Sequence, residues 1–246
     1  MTERFYLAPQ DIRGDEAVLR GKEAHHAVRV MRMKVGEGLT LFDGEGREYR
    51  GRIREILKGE IAVSLEERIP KETQGAAIAI AVACAMPKRL RMETIIEKLT
   101  ELGVEAILPL SSERTVPRVK KEEESKKLLR LRRVATEAAK QCGTPHLPEI
   151  ARFFSFSEIL SLASAYDLAL FMAPGGTPLR EFLKGKRARR IVVAIGPEGG
   201  WSPSEQENAR KAGWAEVSLG KNILKVDTAC LAAVSILHYT FDSLNA

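Results

Sequence analysis

Ile191-Val192-Val193-Ala194-Ile195 runs straight into Gly196-Pro197-Glu198-Gly199-Gly200-Trp201. The five apolar residues read as a β-strand buried on both faces, the kind that fills a parallel sheet. A second β-type run follows some twenty residues later. Glu216-Val217-Ser218-Leu219-Gly220 leads into Lys221-Asn222-Ile223-Leu224-Lys225-Val226-Asp227-Thr228-Ala229. A strand that ends in glycine lets backbone approach a ligand closely, because no Cβ stands in the way. Open α/β sheets bind their ligands at the carboxyl ends of the strands. Two such loops so near each other predict one pocket with backbone walls.

Neither loop matches a common nucleotide template. The chain contains no GxxxxGK[ST] and no GxGxxG, so the phosphate loop and the dinucleotide fingerprint are both absent. Asp43-Gly44-Glu45-Gly46 lies between two short strand patterns and reads as a hairpin turn.

Outward from the loops, the chain divides in two. From Arg4 to about Glu66, short β-type runs alternate with turns: 5–7, 17–19, 39–42, 48–55 and 61–65. Within this part 22–33 reads as a helix, with Ala24, Val28 and Met31 at helical spacing. Closely spaced strands of this kind predict a small barrel over residues 1–70. Residues 67–75 are polar, marked by Pro70 and Gly75, and read as a linker. Beyond it, over 76–246, apolar strands (78–83, 106–110, 168–172, 191–195, 216–219) interleave with helical patterns (90–102, 122–141, 203–212, 228–239). That order predicts an α/β domain with a mainly parallel sheet covered on both faces.

Composition sets the class. Of 246 residues 44% are hydrophobic, ordinary for a globular core. The charged start Met1-Thr2-Glu3-Arg4 lacks an apolar h-region, which predicts no signal peptide and a cytoplasmic protein. The longest apolar run, 76–86, is too short to span a bilayer. Cys84, Cys142 and Cys230 are far apart with no CxxC, so we expect thiols in a reducing compartment, buried or incidental, and no metal. The net charge of +6 is unevenly spread. Residues 1–74 hold 14 basic and 14 acidic side chains, so the excess lies beyond them. Arg118–Lys140 carries nine basic against four acidic residues, Arg180–Arg190 six against one, and Lys88-Arg89-Leu90-Arg91 adds a knot. Three such runs point to a polyanionic partner, with nucleic acid first, and no basic run comes with the apolar face a membrane would need.

The pattern GPEGG-aromatic-S-x-x-E followed by VSLG-x-x-IL-basic-x-acidic-TA resembles the signature of the SPOUT methyltransferases, and within them the RsmE family. That family methylates N3 of a uridine in 16S ribosomal RNA. Lys98-Leu99-Thr100-Glu101-Leu102-Gly103-Val104, Leu108-Pro109, Ser112-Glu113-Arg114, Glu137-Ala138 with Gln141, Leu147-Pro148, and His25-His26 with Val30-Met31-Arg32 and Gly36 are similar to its other motifs. Together they span roughly residues 4 to 230. Two departures stand out. The family usually has Arg and Glu where this chain has Lys225 and Asp227, and it often carries an arginine soon after Gln141, where this chain reads Cys142-Gly143-Thr144-Pro145. A lysine lacks the bidentate fork of arginine.

The resemblance implies a trefoil-knotted α/β domain after an N-terminal PUA-like β-barrel that binds RNA. It implies S-adenosylmethionine (SAM) as cofactor, held by the loops 172–176, 196–201 and 219–225. It also implies 16S rRNA or the small ribosomal subunit as partner, and a homodimer whose sites borrow residues across the knots. Met172, Ile195, Gly196, Glu198, Gly199, Gly200, Leu219, Gly220, Ile223, Leu224, Lys225, Thr228 and Ala229 are then the cofactor candidates. Arg4, Arg29, Arg32, Arg50, Arg52, Arg54 and Arg114 are the RNA candidates, the arginines of 50–54 having a solvated strand edge as their other reading. A uridine N3 loses a proton before it attacks, so a base or a cation belongs nearby. Lys225 is the candidate cation, and Asp227 and Glu198 are the candidate bases. Asp227 alternatively caps the last helix, Glu198 holds loop amides, and Trp201 either stacks on a base or on adenine, or packs. Two other functions stay open: methylation of another RNA position such as a ribose 2′-hydroxyl, and RNA binding without catalysis.

Overall fold

The computed structural model describes residues 4–69, 78–87, 91–115 and 121–245. Residues 70–75 of the expected linker, Lys88, Arg89 and Leu90 of the basic knot, and Arg118 lie outside the described residues. The chain forms two compact units, one of Met1–Glu72 with Thr136–Leu147, the other of Thr73–Ala135 with Pro148–Ala246.

The first unit is a six-stranded sheet. Its elements are β1 (Arg4–Tyr6), β2 (Ile12–Arg13), β3 (Glu16–Arg20), α1 (Gly21–His25), β4 (Gly38–Phe42), β5 (Glu48–Leu57) and β6 (Glu60–Ile69). Strand order is β1-β4-β5-β6-β3-β2. The period-two pattern settles which side is core: Tyr49 and Ile53 point in, while Arg50, Arg52 and Arg54 point out. Phe5, Leu19, Leu39, Leu41, Ile61 and Val63 fill the interior. Two expectations are corrected. Among the described residues the edge strands β1 and β2 do not pair with each other, so hydrogen bonding leaves the barrel open. The helix expected over 22–33 is α1 followed by a π-helical turn, His26–Val30. That wider turn breaks the apolar stripe, so Ala24 is buried but Met31 is 37% exposed.

The turn between β4 and β5 is organised by buried Asp43, whose carboxylate accepts the N–H groups of Glu45 (2.8 Å) and Arg47 (3.0 Å). Segment 143–147 docks on it: the Gly46 N–H reaches the Pro145 carbonyl at 3.1 Å, and the Leu147 N–H reaches that of Gly44 at 2.9 Å.

The second unit contains β7 (Ala79–Ala85), α2 (Arg91–Glu101), β8 (Ala106–Ser111), α3 (Lys121–Cys142, its last turns in the first unit), β9 (Phe154–Ser155), α4 (Phe156–Leu160), β10 (Leu168–Pro178), α5 (Leu179–Leu183), β11 (Arg190–Ile195), α6 (Pro203–Lys211), β12 (Ala215–Ser218) and α7 (Val226–Asn245). Its strands are all parallel, in the order β12-β10-β11-β7-β8-β9. Alternation along β7 builds two cores at once. Ile80, Val82 and Cys84 pack beneath α2, α3, α5 and α7, while Ala81 and Ala83 pack beneath α4 and α6. Along α7 the buried residues are Val226, Ala229, Cys230, Ala233, Val234, Leu237 and Phe241, one stripe at helical spacing. The larger of these, Val226, Val234, Leu237 and Phe241, each contribute roughly 1.5–3 kcal/mol by leaving water. Among the described residues no helix is long and apolar enough to cross a membrane.

Candidate functional site

The carboxyl ends of β10, β11 and β12 lie side by side, and three loops leave from them. After Ile195 the chain turns tightly, the Gly200 N–H reaching the Pro197 carbonyl at 2.8 Å. Gly200 has φ +68, a conformation that favours glycine. Ser202 then caps α6, with Pro203 at the first helical position and Glu205 closing a reciprocal capping box. Between them Trp201 is buried, its indole N–H donating to the Met172 carbonyl at 2.8 Å. The ring stacks on Phe171 at 4.5 Å and tilts against Phe156 at 5.4 Å. Of its two expected roles, packing is the one these contacts support. The indole also explains Gly196: a Cβ there would stand 2.8 Å from its ring. A Cβ on Gly199 would instead meet Arg114 at an ordinary 3.5 Å.

The loop 172–176 is a break within β10, whose register against β12 shifts between Met172 and Thr177. Gly176 is needed there, since a Cβ would lie 2.9 Å from the backbone of Glu216 and Val217. In the loop after β12, Gly220 has φ +136. The Ser218 hydroxyl donates to the Gly220 carbonyl at 3.0 Å and accepts its N–H at 3.2 Å. The last helix starts earlier than expected. The Lys225 carbonyl accepts the Ala229 N–H at 2.8 Å, so Lys225 stands at the cap position. Asp227 lies inside the first turn, its carboxylate accepting the Thr228 N–H at 2.9 Å.

These loops enclose one cleft. Of the cofactor candidates, Met172, Ile195, Gly196, Glu198, Gly200, Leu219, Gly220, Ile223, Leu224 and Ala229 line it, whereas Gly199, Lys225 and Thr228 do not. Trp201 lines it as well, as do Ala173, Pro174, Pro197 and Asn222, which lie within the three loops expected to hold the cofactor. Val217, Ser218 and Val226 also line it and were missed from sequence. These three lie one or two positions outside the loop 219–225, so widening that motif would have found them. The walls are apolar side chains and bare backbone. Glu198, Ile223 and Lys225 are exposed, and Asp227 is half-buried. No ion pair joins Lys225 to Asp227 among the described residues. Behind Ala229, the Cys230 thiol lies 3.7 Å from that of Cys84. Its hydrogen bond to Cys84 and its burial hold its pKa well above the usual thiol value. It is a neutral packing group. Of the three thiols expected to be buried or incidental, Cys84 and Cys230 are buried and Cys142 is exposed.

The RNA candidates separate into two sets. Arg50 pairs with Glu67 (3.1 Å), Arg52 with Glu66 (2.7 Å) and Arg54 with Glu16, so the arginine face of β5 is compensated by neighbouring strands. Arg4 is largely buried, pairs with Glu48 and lies over the Phe42 ring at 4.7 Å. Arg114 donates to the carbonyls of Gly199 (2.9 Å) and Trp201 (3.3 Å). Arg29 and Arg32 are exposed and form no ion pair among the described residues. Val30 and Val35 beside them are 60% and 59% exposed, and Arg32 holds φ 57. His25 is exposed there, while the His26 ring packs edge-on against Phe5 at 6.0 Å. Lys140 of the long basic run pairs with Glu23 at 3.2 Å, both side chains mostly buried, and so acts within the fold.

An RNA methyltransferase domain model matches residues 74–238, and an RNA methyltransferase PUA domain model matches 19–66. Ribosomal RNA small subunit methyltransferase E of Synechocystis is 32% identical over 99% of this chain and 79% of its own length. The chain belongs to the ribosomal RNA small subunit methyltransferase E family. Its Bacillus subtilis relative of that name is 27% identical over 92% of this chain and 91% of the relative. The crystal structure of the Neisseria gonorrhoeae methyltransferase E bound to SAM is 28% identical, covers 98% of both chains and has a TM-score of 0.86. A Legionella pneumophila protein solved in complex with SAM is 29% identical over 98% of both chains, with a TM-score of 0.88. Family membership thus covers both units, the PUA domain and the α/β domain that carries the cleft. Among the described residues no group of three or more His, Cys, Asp or Glu is placed to hold a metal ion.

Proposed function

We propose that the protein transfers the methyl group of SAM to N3 of a uridine in 16S rRNA. The observation that carries this is the cleft at the ends of β10, β11 and β12, in a chain that matches SAM-bound family members along 98% of its length. The residues present fit SAM. Met172, Ile195, Leu219, Leu224, Val226 and Ala229 offer apolar walls for adenosine, and the left-handed Gly200 and Gly220 turn bare backbone toward it. The Glu198 carboxylate at the rim suits a cationic donor.

When bound, SAM supplies an electrophilic methyl group on a sulfonium. The protein's part is to align the acceptor, exclude water and manage one proton. Uridine N3 is protonated at neutral pH, and negative charge spreads onto the flanking carbonyl oxygens as the proton leaves. Lys225, at the cap of α7 beside the cleft residues Leu224 and Val226, is the group we assign to that charge. Asp227 and Glu198 are the candidate proton acceptors.

The knot belongs to the same proposal. From β12, at the sheet edge, the chain runs past the loops 172–176 and 196–201 before α7 packs on β7 and β11, a passage that supports threading. We also assign a homodimer and, from a ribosomal substrate, a cytoplasmic site of action. The test is transfer of tritiated methyl from SAM to unmodified small subunits, followed by nucleoside mass spectrometry. N3-methyluridine is expected. A ribose-methylated nucleoside would move the target, and a protein that binds RNA but not SAM would be no methyltransferase.

A further inference from the structure

Arg114 is exposed, yet its guanidinium is anchored on the first glycine loop. Its Nη1 donates to two carbonyls of the first glycine loop, Gly199 at 2.9 Å and Trp201 at 3.3 Å. Those two peptide units are held from their other ends as well. The Gly200 N–H donates to Pro197 at 2.8 Å, and the Ser202 N–H donates to Glu205 at 2.8 Å. Glu205 is 2% exposed, and its second oxygen accepts the N–H of Glu113, the residue before Arg114, at 2.9 Å. The Ser204 hydroxyl donates to the Glu113 carboxylate at 3.0 Å. The clamp is itself braced. Ser112 and Thr115 join hydroxyl to hydroxyl at 2.8 Å, and each backbone N–H of the pair is bonded within the same turn, at 2.9 and 3.1 Å. Motifs some 85–92 residues apart thus form one polar assembly.

A binding wall made of backbone is useful only if its peptide planes are fixed beforehand, since ordering them on binding subtracts from affinity. Glycine has the most freedom to lose. We propose that Arg114 is a positioning residue that fixes the loop 196–201 in its SAM-binding shape. It acts from outside the cleft, for neither Arg114 nor Gly199 lines it. Methyl-donor affinity, and not RNA affinity, depends on it.

The inference rests on the SAM-binding reading, and the test separates the two. Calorimetric SAM titration, thermal melting and steady-state kinetics compare the wild type with Arg114→Ala and Arg114→Lys. Losing hydrogen bonds to a charged group should raise the SAM Kd of Arg114→Ala roughly tenfold or more. The loss should appear in KM for SAM far more than in kcat, and RNA affinity should keep its wild-type salt dependence. Arg114→Lys, whose ammonium lacks the planar fork, should fall between. An unchanged SAM Kd in Arg114→Ala, or a loss confined to RNA affinity, overturns the proposal. If Arg114→Ala does not fold, a folded Arg114→Lys with wild-type SAM affinity overturns it. A wild type that binds no SAM would instead remove the functional reading itself.

Discussion

Gly196 and Gly199 share a motif but answer to different neighbours. Alanine at 196 must displace the Trp201 indole, which ties the first glycine loop to the Met172 carbonyl. Overpacking of this kind costs about 1–3 kcal/mol. We expect Gly196→Ala to lower both melting temperature and SAM affinity, the latter roughly tenfold by that same figure. Gly199 lacks a positive φ, and its added methyl would only touch Arg114, so Gly199→Ala should stay within about twofold of wild type on the ±0.5 kcal/mol scale of benign substitutions. Calorimetry that ranks the two the other way round refutes this packing account. Lys225 and Asp227 differ in the same concrete sense. Lys225→Ala removes a cation at the cap of α7, next in sequence to the cleft residues Leu224 and Val226, and should slow single-turnover methyl transfer about 10²–10³-fold, while SAM affinity changes little. Asparagine at 227 keeps an oxygen for the Thr228 N–H, so Asp227→Asn preserves whatever is structural there. If its rate matches wild type, Asp227 leaves the mechanism and Glu198 becomes the base to examine.

At the scale of elements, the exposed face of β5 teaches how far a strand pattern reaches. Alternation correctly places Arg50, Arg52 and Arg54 on one outer face. The carboxylates that neutralise them come from β3 and β6, and only the observed register brings them opposite. No single strand carries that information. The same limit applies elsewhere. Uniformly apolar strands and helical stripes were legible because burial imposes their period, as in β11 and α7. The short α5 was hidden inside what read only as a basic run, and the π turn at 26–30 has no period of its own. At the site, the glycine loops were legible through their composition, whereas the reason for Gly196 lies in a ring that only folding brings against it. A prediction follows for RNA. Arg50→Gln, Arg52→Gln and Arg54→Gln together remove already compensated charges and should leave RNA affinity within about threefold, as for exposed ion pairs. Arg29→Gln, Arg32→Gln and Lys34→Gln together remove charges that form no ion pair among the described residues. They should weaken binding and flatten the slope of log K against log salt by about two, at roughly 0.7 per phosphate on a single strand. Filter binding across a salt series decides it, and the account fails if the β5 triple gives the larger change of slope.

For the whole molecule, the exposed apolar residues of the second unit point beyond one chain. Ile223 is 86% exposed, Tyr239 82% and Ile236 36%. Ile236 and Tyr239 are three apart on α7 and so share a face. They line a groove with Leu179, Leu183, Leu219 and Gly220, and Ser218, Leu219 and Gly220 are common to this groove and the cleft. Large apolar side chains gathered beside a binding loop mark an interaction surface more than they mark chance. A second copy of the chain is the occupant we assign, and covering this surface would also steady the loop 219–225. Since Tyr239 is exposed within one chain, Tyr239→Glu should leave the monomer folded and its far-UV spectrum unchanged. It should nevertheless split the dimer, because a buried aromatic is a common hot spot worth about 2 kcal/mol or more and a buried unpaired carboxylate costs further. Sedimentation equilibrium should report a dimer for wild type and a monomer for the variant. If catalysis needs the partner, methyl transfer falls with dissociation and recovers as protein concentration rises. A variant that stays dimeric would place the interface elsewhere, and a fully active monomer would show that each cleft works alone.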